Sequence, residues 1–433
     1  MAKKTHAETT ALIVGGGFAG VACAKKLAEH GISVTLLDKN NYHQFQPLLY
    51  QVATGMLGPA DIARPLRAIF AKHKTVDVKQ AEVAHVDVAN RTVRTTDGLD
   101  FSADYLVLAM GSQPNFFNTA GAVEHTFPLY SLDDAERLRS RVFEVFEDAD
   151  SRPELVERGA LNFVIVGGGA TGVETAGALA DLVNEVMPER FHDLAIRAAR
   201  VYIVDVGHAL LAPFSEEAHA YAAKVLQRKG VELRMGCSAK EILEDRVVLS
   251  DGSEILTHTV VWAGGLQAPQ LASVCQLPQG RGGRFEVERD LSIEGVPGVY
   301  AIGDVANIPG ADGHALPQLG SVALQAGTAA AHSILADVEG QARPAFHYHD
   351  KGIMAMIGRG AAIAEVGKHH HELHGPVGFA AWLGVHAWLL SGVREKVDAF
   401  ISWGWDNLGH GRAATVIDRP DAARIDWGTE DES

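Results

Sequence analysis

The chain carries the same short sequence pattern twice. Residues 11–28 read ALIVGGGFAGVACAKKLA, and residues 163–180 read FVIVGGGATGVETAGALA. In each copy an apolar run typical of a buried strand leads into Gly-x-Gly-x-x-Gly and then into a helical pattern. A helix that starts at such a turn presents free backbone N–H groups and the positive end of its dipole to a pyrophosphate. The repeat therefore predicts an α/β protein with two Rossmann-like dinucleotide-binding domains.

The glycines of each copy have separate tasks. Gly15 allows a tight turn out of the strand, Gly17 leaves room for the pyrophosphate, and Gly20 lets the helix pack close to the strand. The second copy assigns the same tasks to Gly167, Gly169 and Gly172.

An acidic residue ends the strand that follows each helical pattern. These residues are Asp38 and Asp205, and a carboxylate at this position accepts hydrogen bonds from ribose hydroxyls. The charge of Asp205 would repel the 2′-phosphate of NADPH, and no arginine occurs in residues 206–208. The sequence therefore favours NADH at the second turn, the alternative being a solvated Asp at a strand end.

Composition excludes several classes of function. The 433 residues, 47% of them apolar, are enough for two or three domains. A net charge of -16 argues against non-specific nucleic-acid binding, which needs a basic surface. The three cysteines, Cys23, Cys237 and Cys275, form no CxxC or CxxxxC pair. Disulfides, a zinc site and thiol redox chemistry are therefore not expected, and the expected compartment is a reducing cytoplasm. The first apolar run, 11–14, is too short for the core of a signal peptide.

A third motif indicates which cofactor each turn binds. Residues 299–306 read VYAIGDVA, and residues 105–111 and 260–265 are apolar strands that end in small residues. Here the chain resembles the pyridine-nucleotide flavoprotein oxidoreductases with two dinucleotide-binding domains. In that superfamily the Asp of the Gly-Asp strand lies against the ribityl chain and phosphates of FAD, a role that the resemblance gives to Asp304 beside Gly303.

The resemblance also implies the domain order. FAD would bind non-covalently to a discontinuous domain, 9–118 with 293–336, and NADH would bind to an inserted domain, 119–292. Residues 337–433 would form a C-terminal region with an amphipathic, membrane-facing helix and an acidic tail.

Within this superfamily the chain is most similar to the type II NADH dehydrogenases. Residues 41–55 read NYHQFQPLLYQVATG and 62–67 read IARPLR, and further matches lie at 348–358 and 382–396. The resemblance implies a respiratory-chain NADH:quinone oxidoreductase that does not pump protons and lies peripherally on the cytoplasmic side of the cell membrane. The alternatives are an NADH-dependent flavoprotein reductase of a soluble acceptor and a flavin- and NADH-binding sensor with little turnover.

The same resemblance assigns site residues. The candidate FAD ligands are Gly15, Gly17, Gly20, Asp38, Lys39, Gln46, Ala109, Gly111, Gly303 and Asp304. The candidate NADH ligands are Gly167, Gly169, Gly172, Glu174, Asp205 and Gly264. Glu174 is also a catalytic candidate, because the family has a glutamate at this position near nicotinamide and flavin. The alternative is an acid that only stabilises the first turn of its helix.

The other catalytic candidates concern the quinone. The family commonly has Ala-Gln-x-x-x-Gln after the Gly-Asp strand; here Gln325 matches the second glutamine and Ser321 replaces the first. Gln318 can compensate from one turn earlier, or these glutamines are merely exposed. Lys351 can favour the anionic reduced flavin or be solvated. His43 can line a cofactor or quinone pocket, or serve only packing.

Four of the six tryptophans lie between residues 382 and 405. At helical spacing one apolar stripe is expected, formed by Trp382, Val385, Leu389, Val393, Val397 and Phe400. This pattern predicts a helix that lies in the membrane surface through 377–405. A membrane-spanning helix is disfavoured because 377–393 is too short, and a buried or homodimer contact is a further alternative. The acidic tail from Asp418 is expected to be mobile.

A histidine cluster completes the set of notable motifs. It consists of His369, His370, His371 and His374. No cysteine or ordered set of acids lies nearby, so a solvated loop is expected rather than a metal site.

Overall fold

A computed structural model describes residues 5–192, 194, 196–367, 370–390, 392–409, 412 and 414–427. The strands are β1 (Thr10–Val14), β2 (Ser33–Asp38), β3 (Tyr42–Gln44), β4 (Ala63–Pro65), β5 (Val76–Gln80), β6 (Val83–Asp87), β7 (Thr92–Thr95), β8 (Asp100–Ser102), β9 (Tyr105–Leu108), β10 (Gln113–Pro114), β11 (Phe127–Pro128), β12 (Asn162–Val166), β13 (Arg200–Asp205), β14 (Val231–Met235), β15 (Ala239–Ile242), β16 (Arg246–Leu249), β17 (Glu254–Leu256), β18 (Thr259–Trp262), β19 (Leu266–Gln267), β20 (Phe285–Glu286), β21 (Val299–Ala301), β22 (Ala306–Asn307), β23 (Gly352–Gly358), β24 (Ala361–Val366) and β25 (His371–His374).

The helices are α1 (Phe18–Glu29), α2 (Leu49–Ala53), α3 (Pro59–Ile62), α4 (Leu66–Ile69), α5 (Ala122–His125), α6 (Leu132–Ser151), α7 (Ala170–Asp181), α8 (Glu216–Arg228), α9 (Gln270–Ser273), α10 (Gly320–Glu339), α11 (Gly375–Leu389), α12 (Val393–Gly409) and α13 (Pro420–Ala423). One turn of π-helix, Leu182–Val186, continues α7.

The chain packs as two compact units. The first unit consists of residues 1–44, 64–113 and 266–350, and the second of 45–63, 114–265 and 351–433. Both units are therefore discontinuous in sequence. The domain ranges proposed above refer to cofactor binding, and they stay a prediction.

The core of the first unit is a five-stranded sheet. Its strand order is β21-β9-β1-β2-β5, and every pair is parallel. Leu12 and Ile13 of β1 are completely buried, as expected for a parallel sheet that is covered on both faces. Helices α1 and α10 pack closely, because a Cβ at Gly327 would lie 2.2 Å from the carbonyl oxygen of Ala19.

The second unit repeats this architecture. Its parallel sheet has the order β11-β18-β12-β13-β14, so the two glycine-rich turns follow equivalent central strands, β1 and β12. In each unit a three-stranded antiparallel sheet follows an edge strand of the parallel sheet, β6-β7-β8 after β5 and β15-β16-β17 after β14. The prediction of an α/β protein with two Rossmann-like sheets is confirmed.

The second unit also contains an antiparallel sheet of β23, β24 and β25. Helix α7 lies directly against β23, because a Cβ at Gly177 would lie 2.4 Å from the carbonyl oxygen of Ile357. This contact fixes the spacing between α7, which begins at the second glycine-rich turn, and the strand that faces it.

The expectation of one apolar helical stripe from Trp382 to Phe400 is wrong. Helix α11 ends at Leu389 and α12 begins at Val393, and Gly392 between them has a φ of +118°. Trp382 is completely buried, whereas Val385 and Phe400 are exposed. The helical spacing does not continue across the break, so residues on its two sides do not share one face.

Against the expectation of a mobile tail, Asp418 and Trp427 both contact α6, and residues 428–433 lie outside the described residues. Asp418 pairs with the buried guanidinium of Arg139 on α6. The indole N–H of Trp427 donates to Asp148 Oδ2 at 2.7 Å, and its ring lies 4.4 Å from that of His258. We call residues 414–427 the C-terminal strap.

Within the described residues, no helix combines the length and apolar character that crossing a bilayer requires.

We expect Trp427 to anchor the strap. Because the side chain is nearly completely buried, Trp427→Ala should lower the free energy of unfolding of the second unit by about 3 kcal/mol. Trp405 is 66% exposed, so Trp405→Ala should change it by less than about 0.5 kcal/mol. Chemical denaturation of both variants measures the difference, and equal effects would contradict the packing described here.

Candidate functional site

The glycine-rich turn of the first unit has the shape of a phosphate cradle. Gly15 has a φ of +109°, and a Cβ at Gly20 would lie 1.9 Å from the carbonyl oxygen of Gly15. Gly17, the N-cap of α1, has nothing within 4 Å of its Cβ position. The close contact therefore excludes side chains on one side of the turn, and open space remains at the helix N-terminus.

The turn of the second unit has the same geometry. Gly167 has a φ of +118°, and a Cβ at Gly172 would lie 1.9 Å from its carbonyl oxygen. The Cβ position of Gly169, the N-cap of α7, is open to 4 Å. Both turns thus place a helix N-terminus beside an open volume, which suits a pyrophosphate.

The two strand-end carboxylates fix these turns, a role that was not predicted. The Gly16 N–H donates to Asp38 Oδ2 at 2.6 Å, and the Asn40 N–H donates to Asp38 Oδ1 at 2.7 Å. In the second unit, Asp205 accepts from the N–H groups of Gly168 and Gly207. Burial raises the pKa of Asp38, and these backbone donors oppose that shift. Carboxylate oxygens accept about four hydrogen bonds, so each Asp retains acceptors for a ribose.

The Gly-Asp motif is held by two side chains. Ser112 Oγ donates to Asp304 Oδ2 at 3.1 Å, and Gln318 Nε2 donates to the Asp304 carbonyl oxygen at 3.1 Å. Gly303 has a φ of +71°, which favours glycine at this turn. Burial raises the pKa of Asp304. Ser112 was missed in the sequence, although it follows the predicted small-residue turn directly.

Gln325, the quinone candidate on α10, binds the main chain. Gln325 Nε2 donates to the His349 carbonyl oxygen at 3.0 Å, and the His349 N–H donates to Gln325 Oε1 at 2.9 Å. Ser321, which replaces the family glutamine, bonds to the Tyr348 hydroxyl at 2.9 Å. Both residues hold the segment that precedes β23, and a contact of Gln325 with quinone stays a prediction.

Other predicted cofactor residues of the first unit lie around its turn. The Ala109 N–H donates to the Val14 carbonyl oxygen at 2.8 Å, and Gly111 has a φ of +70°. Lys39 is exposed. His43 is buried, and its Nδ1 lies 3.0 Å from the Gly16 carbonyl oxygen, so this histidine also supports the turn.

Three predicted site residues of the second unit have different surroundings. Gln46 Nε2 donates to the Tyr130 carbonyl oxygen at 3.4 Å. The Cβ position of Gly264 lies 3.1 Å from the Trp262 ring. Lys351 is exposed, and its Nζ lies 5.8 Å from the centroid of the Trp388 ring.

Glu174 is the most perturbed carboxyl of the site. It lies in α7 and is buried, and its Oε1 accepts the Met356 N–H of β23 at 3.1 Å. Burial raises its pKa from about 4.5 to about 8, and the Met356 N–H and the Trp382 indole oppose that shift. Glu174 therefore carries a proton at neutral pH.

A buried chain of hydrogen bonds lies next to Glu174, and the sequence analysis did not identify it. Trp403 Nε1 donates to Gln51 Oε1 at 2.7 Å, Gln51 Nε2 donates to the Tyr50 hydroxyl oxygen at 3.0 Å, and that hydroxyl donates to Met356 Sδ at 3.3 Å. The only signal in the sequence is that Tyr50 and Gln51 are polar in an otherwise apolar helix.

An aromatic group covers the other side of this region. His386 stacks on Trp382 with ring centroids 4.0 Å apart, and burial lowers its pKa to about 4. A narrow cavity lined by Gln51, Met356, Trp382 and Trp403, among others, has room for about one water molecule. Because its pKa is lowered, the His386 imidazole is neutral at physiological pH.

The histidine cluster shows no metal-binding arrangement among the described residues. His370 lies 3.2 Å from Glu365, and His374 stacks on Tyr221 with centroids 5.2 Å apart. His369 lies outside the described residues.

Comparison with known proteins gives the family. The Pyridine nucleotide-disulphide oxidoreductase profile matches residues 9–327. The type II NADH:quinone oxidoreductases Ndh and NdhA of Mycobacterium tuberculosis are each 34% identical, over 90% and 94% of this chain and 86% and 88% of their own lengths. The chain belongs to the type II NADH:quinone oxidoreductases.

A solved structure has the same fold. NDH2 from Plasmodium falciparum, in complex with NADH, superposes with a TM-score of 0.86 at 18% identity and covers 94% of this chain and 99% of its own. The family resemblance inferred from residues 41–55, 62–67, 348–358 and 382–396 is confirmed. The roles of the individual site residues of this type II enzyme stay predictions.

We expect the burial of Glu174 to make the stability of the enzyme depend on pH. Because the folded-state pKa of about 8 exceeds the ordinary value of about 4.5, this carboxyl stabilises the fold fully below pH 4.5 and loses that contribution as pH rises through 8. Glu174→Gln does not ionise. The melting temperature of Glu174→Gln should therefore exceed that of the wild type by a margin that grows from pH 5 to pH 9.

Glu241 is exposed on β15, so Glu241→Gln is the control and should follow the wild-type melting profile. Parallel profiles for Glu174→Gln and the wild type would mean that the carboxyl does not ionise with a raised pKa.

Proposed function

We propose that the enzyme binds FAD non-covalently at the first glycine-rich turn, oxidises NADH at the second and reduces a membrane quinone. This proposal rests on the open cradles at Gly17 and Gly169. Each of these glycines caps the N-terminus of a helix that follows a parallel strand in sequence. Two such turns in one chain suit one redox dinucleotide each.

The residues of the first unit fit FAD. The N–H groups around Gly17 would face its pyrophosphate, and Asp38 and Asp304 offer carboxylate oxygens to its hydroxyl groups. Bound FAD supplies the hydride acceptor and the two-electron donor of the reaction. Ser112 and Gln318 would keep Asp304 in position, because they hold its carboxylate and its carbonyl group.

The residues of the second unit fit NADH. The cradle at Gly169 would take the pyrophosphate, and Asp205 would accept hydrogen bonds from the adenosine ribose. The carboxylate of Asp205 already orients the turn through Gly168, so a 2′-phosphate would meet a fixed negative charge. We therefore propose a preference for NADH over NADPH.

Proton balance gives Glu174 a role. NADH delivers a hydride, which carries two electrons and one proton, whereas reduction of a quinone to a quinol takes two electrons and two protons. The overall reaction NADH + H⁺ + quinone → NAD⁺ + quinol therefore draws one proton from water through the protein. Glu174 is protonated at neutral pH because it is buried, so it is the proposed donor of that proton.

Two matched leucine variants separate the cofactor sites. Gly17→Leu should yield folded but colourless protein, because the side chain fills the FAD cradle. Gly169→Leu should remain yellow but should no longer be bleached by NADH in stopped-flow absorbance. Chemically reduced Gly169→Leu should still be reoxidised by a short-chain quinone, as should NADH-reduced wild type.

Gly404 also has nothing within 4 Å of its Cβ position, so Gly404→Leu controls for insertion of a leucine. Reoxidation of wild type by a soluble acceptor protein but not by quinone would replace the proposed acceptor. Wild-type NADH oxidation no faster than flavin autoxidation would favour a sensor.

A set of exposed apolar side chains supports contact with the cytoplasmic membrane surface. On α11 and α12 these are Val377, Val385, Trp388, Val397, Phe400, Ile401 and Trp405. Tryptophan is the residue type most suited to the membrane interface. With a net charge of -16, the protein should bind through this apolar face rather than through general attraction to anionic lipids.

Vesicle flotation tests the membrane contact. Wild type should float with neutral phosphatidylcholine vesicles, and Trp388→Ser/Trp405→Ser should bind at least about tenfold more weakly because two interfacial anchors are removed. Leu99→Ser/Val123→Ser changes two exposed apolar residues elsewhere, 55% and 66% exposed, and should float like wild type. If wild type does not float but forms a dimer, and the double tryptophan variant is monomeric, the exposed face would instead be a homodimer contact.

A further inference from the structure

The hydrogen-bond chain from Trp403 to Met356 has a fixed direction. An indole N–H can only donate, so the atom of Gln51 that meets Trp403 must be the amide oxygen. The amide nitrogen then faces Tyr50 and also lies 4.0 Å from Met356 Sδ. Because an amide nitrogen only donates, the Tyr50 oxygen must accept, and the Tyr50 hydrogen must point elsewhere.

Among the described residues, the acceptor of that hydrogen is a weak one. The Tyr50 hydroxyl donates to the thioether of Met356 at 3.3 Å, and thioether sulfur accepts hydrogen bonds poorly. Tyr50 is 2% exposed and Gln51 is completely buried, so bulk water does not reach this hydroxyl. A stronger acceptor that became available nearby would therefore attract it.

Glu174 provides such an acceptor once it has lost its proton. Its carboxyl binds the main-chain N–H of Met356, the residue whose sulfur holds the Tyr50 hydroxyl. The two groups also interact electrostatically, since a negative charge on Glu174 raises the pKa of Tyr50 further above its ordinary value. A carboxylate accepts a hydroxyl far more strongly than a thioether does.

We propose that the Tyr50 hydroxyl turns from Met356 Sδ to the carboxylate of Glu174 when Glu174 releases its proton, and that Gln51 and Trp403 are positioning residues that keep this hydroxyl free to donate. The inference rests on the proposed function, because the released proton is the one that quinone reduction requires. Tyr50 would lower the energy of the ionised carboxylate and so set the pH at which Glu174 donates.

The other charged groups around this pair have partners of their own. Asp181 is ion-paired with Lys229 and also accepts the Arg359 N–H. Arg412 donates to the carbonyl oxygens of Thr54 and Ala178. His386 is neutral above about pH 5 because burial lowers its pKa to about 4. The alkaline limb of a pH profile is therefore expected near pH 8, the pKa of Glu174.

The test is the pH profile of quinone reduction by the FAD-loaded enzyme, with a short-chain quinone. Tyr50→Phe removes the donor, so the alkaline limb should move up by about one pH unit and the rate at pH 7 should fall about tenfold. Met356→Leu keeps the side-chain volume but removes the resting acceptor, so the limb should move down. Trp403→Phe frees the Gln51 amide to turn its oxygen to Tyr50, so the limb should move up.

Tyr300→Phe is the matched control, since Tyr300 is completely buried and donates to Asp337 at 2.7 Å in the first unit. Its profile should match that of the wild type. Limbs that move in the same direction for Tyr50→Phe and Met356→Leu, or that do not move, would overturn the proposal. Loss of bound flavin in all three variants would assign the residues to packing and would also overturn it. Failure of the proposed function is seen separately, as wild-type flavin that quinone does not reoxidise.

Discussion

In both units a helix and a strand approach each other so closely that only glycine fits at the contact. The helix after each glycine-rich turn passes so close to the strand that a Cβ at Gly20 or Gly172 would lie 1.9 Å from a carbonyl oxygen. This approach places the helix N-terminus at the end of the central strand and leaves the space before it open. The carboxylates of Asp38 and Asp205 then bind an N–H of the turn itself, so each acid shapes the cradle.

Helix α7 links this close main-chain packing to the protonation of Glu174. Three successive positions on one face of the helix bind β23 and the turn after it: Glu174 accepts the Met356 N–H, Gly177 meets the main chain at Ile357, and Asp181 accepts the Arg359 N–H. The spacing of three and four residues is that of one helical face. The close approach at Gly177 buries the carboxyl of Glu174, and burial raises its pKa to about 8. Packing around a glycine thereby determines the protonation of an acid one turn away.

The sequence predicted what is local and missed what depends on distant residues. The turns, the strand-end acids and the Gly-Asp motif are short patterns whose backbone geometry follows from glycine and from strand-to-helix order. The Tyr50–Gln51–Trp403 chain joins residues far apart in sequence, so no local pattern contains it. The break between α11 and α12 was missed because periodicity was extended across Gly392, whose φ of +118° ends the helical path. Asp418 and Trp427 are held by partners on α6 that composition could not reveal.

The buried and the exposed side chains of helix α12 lie on opposite faces of the helix. Ala399 and Trp403, four residues apart, are buried, and Trp403 binds Gln51. Val397, Ile401 and Trp405 have the same spacing but are offset by two residues, or about 200° around the helix, and all three are exposed. The helix can therefore present an apolar face outward without loosening the hydrogen bond that orients Gln51. Contact of the outer face with a membrane would restrain the helix and so would stabilise, rather than disturb, the buried chain next to Glu174.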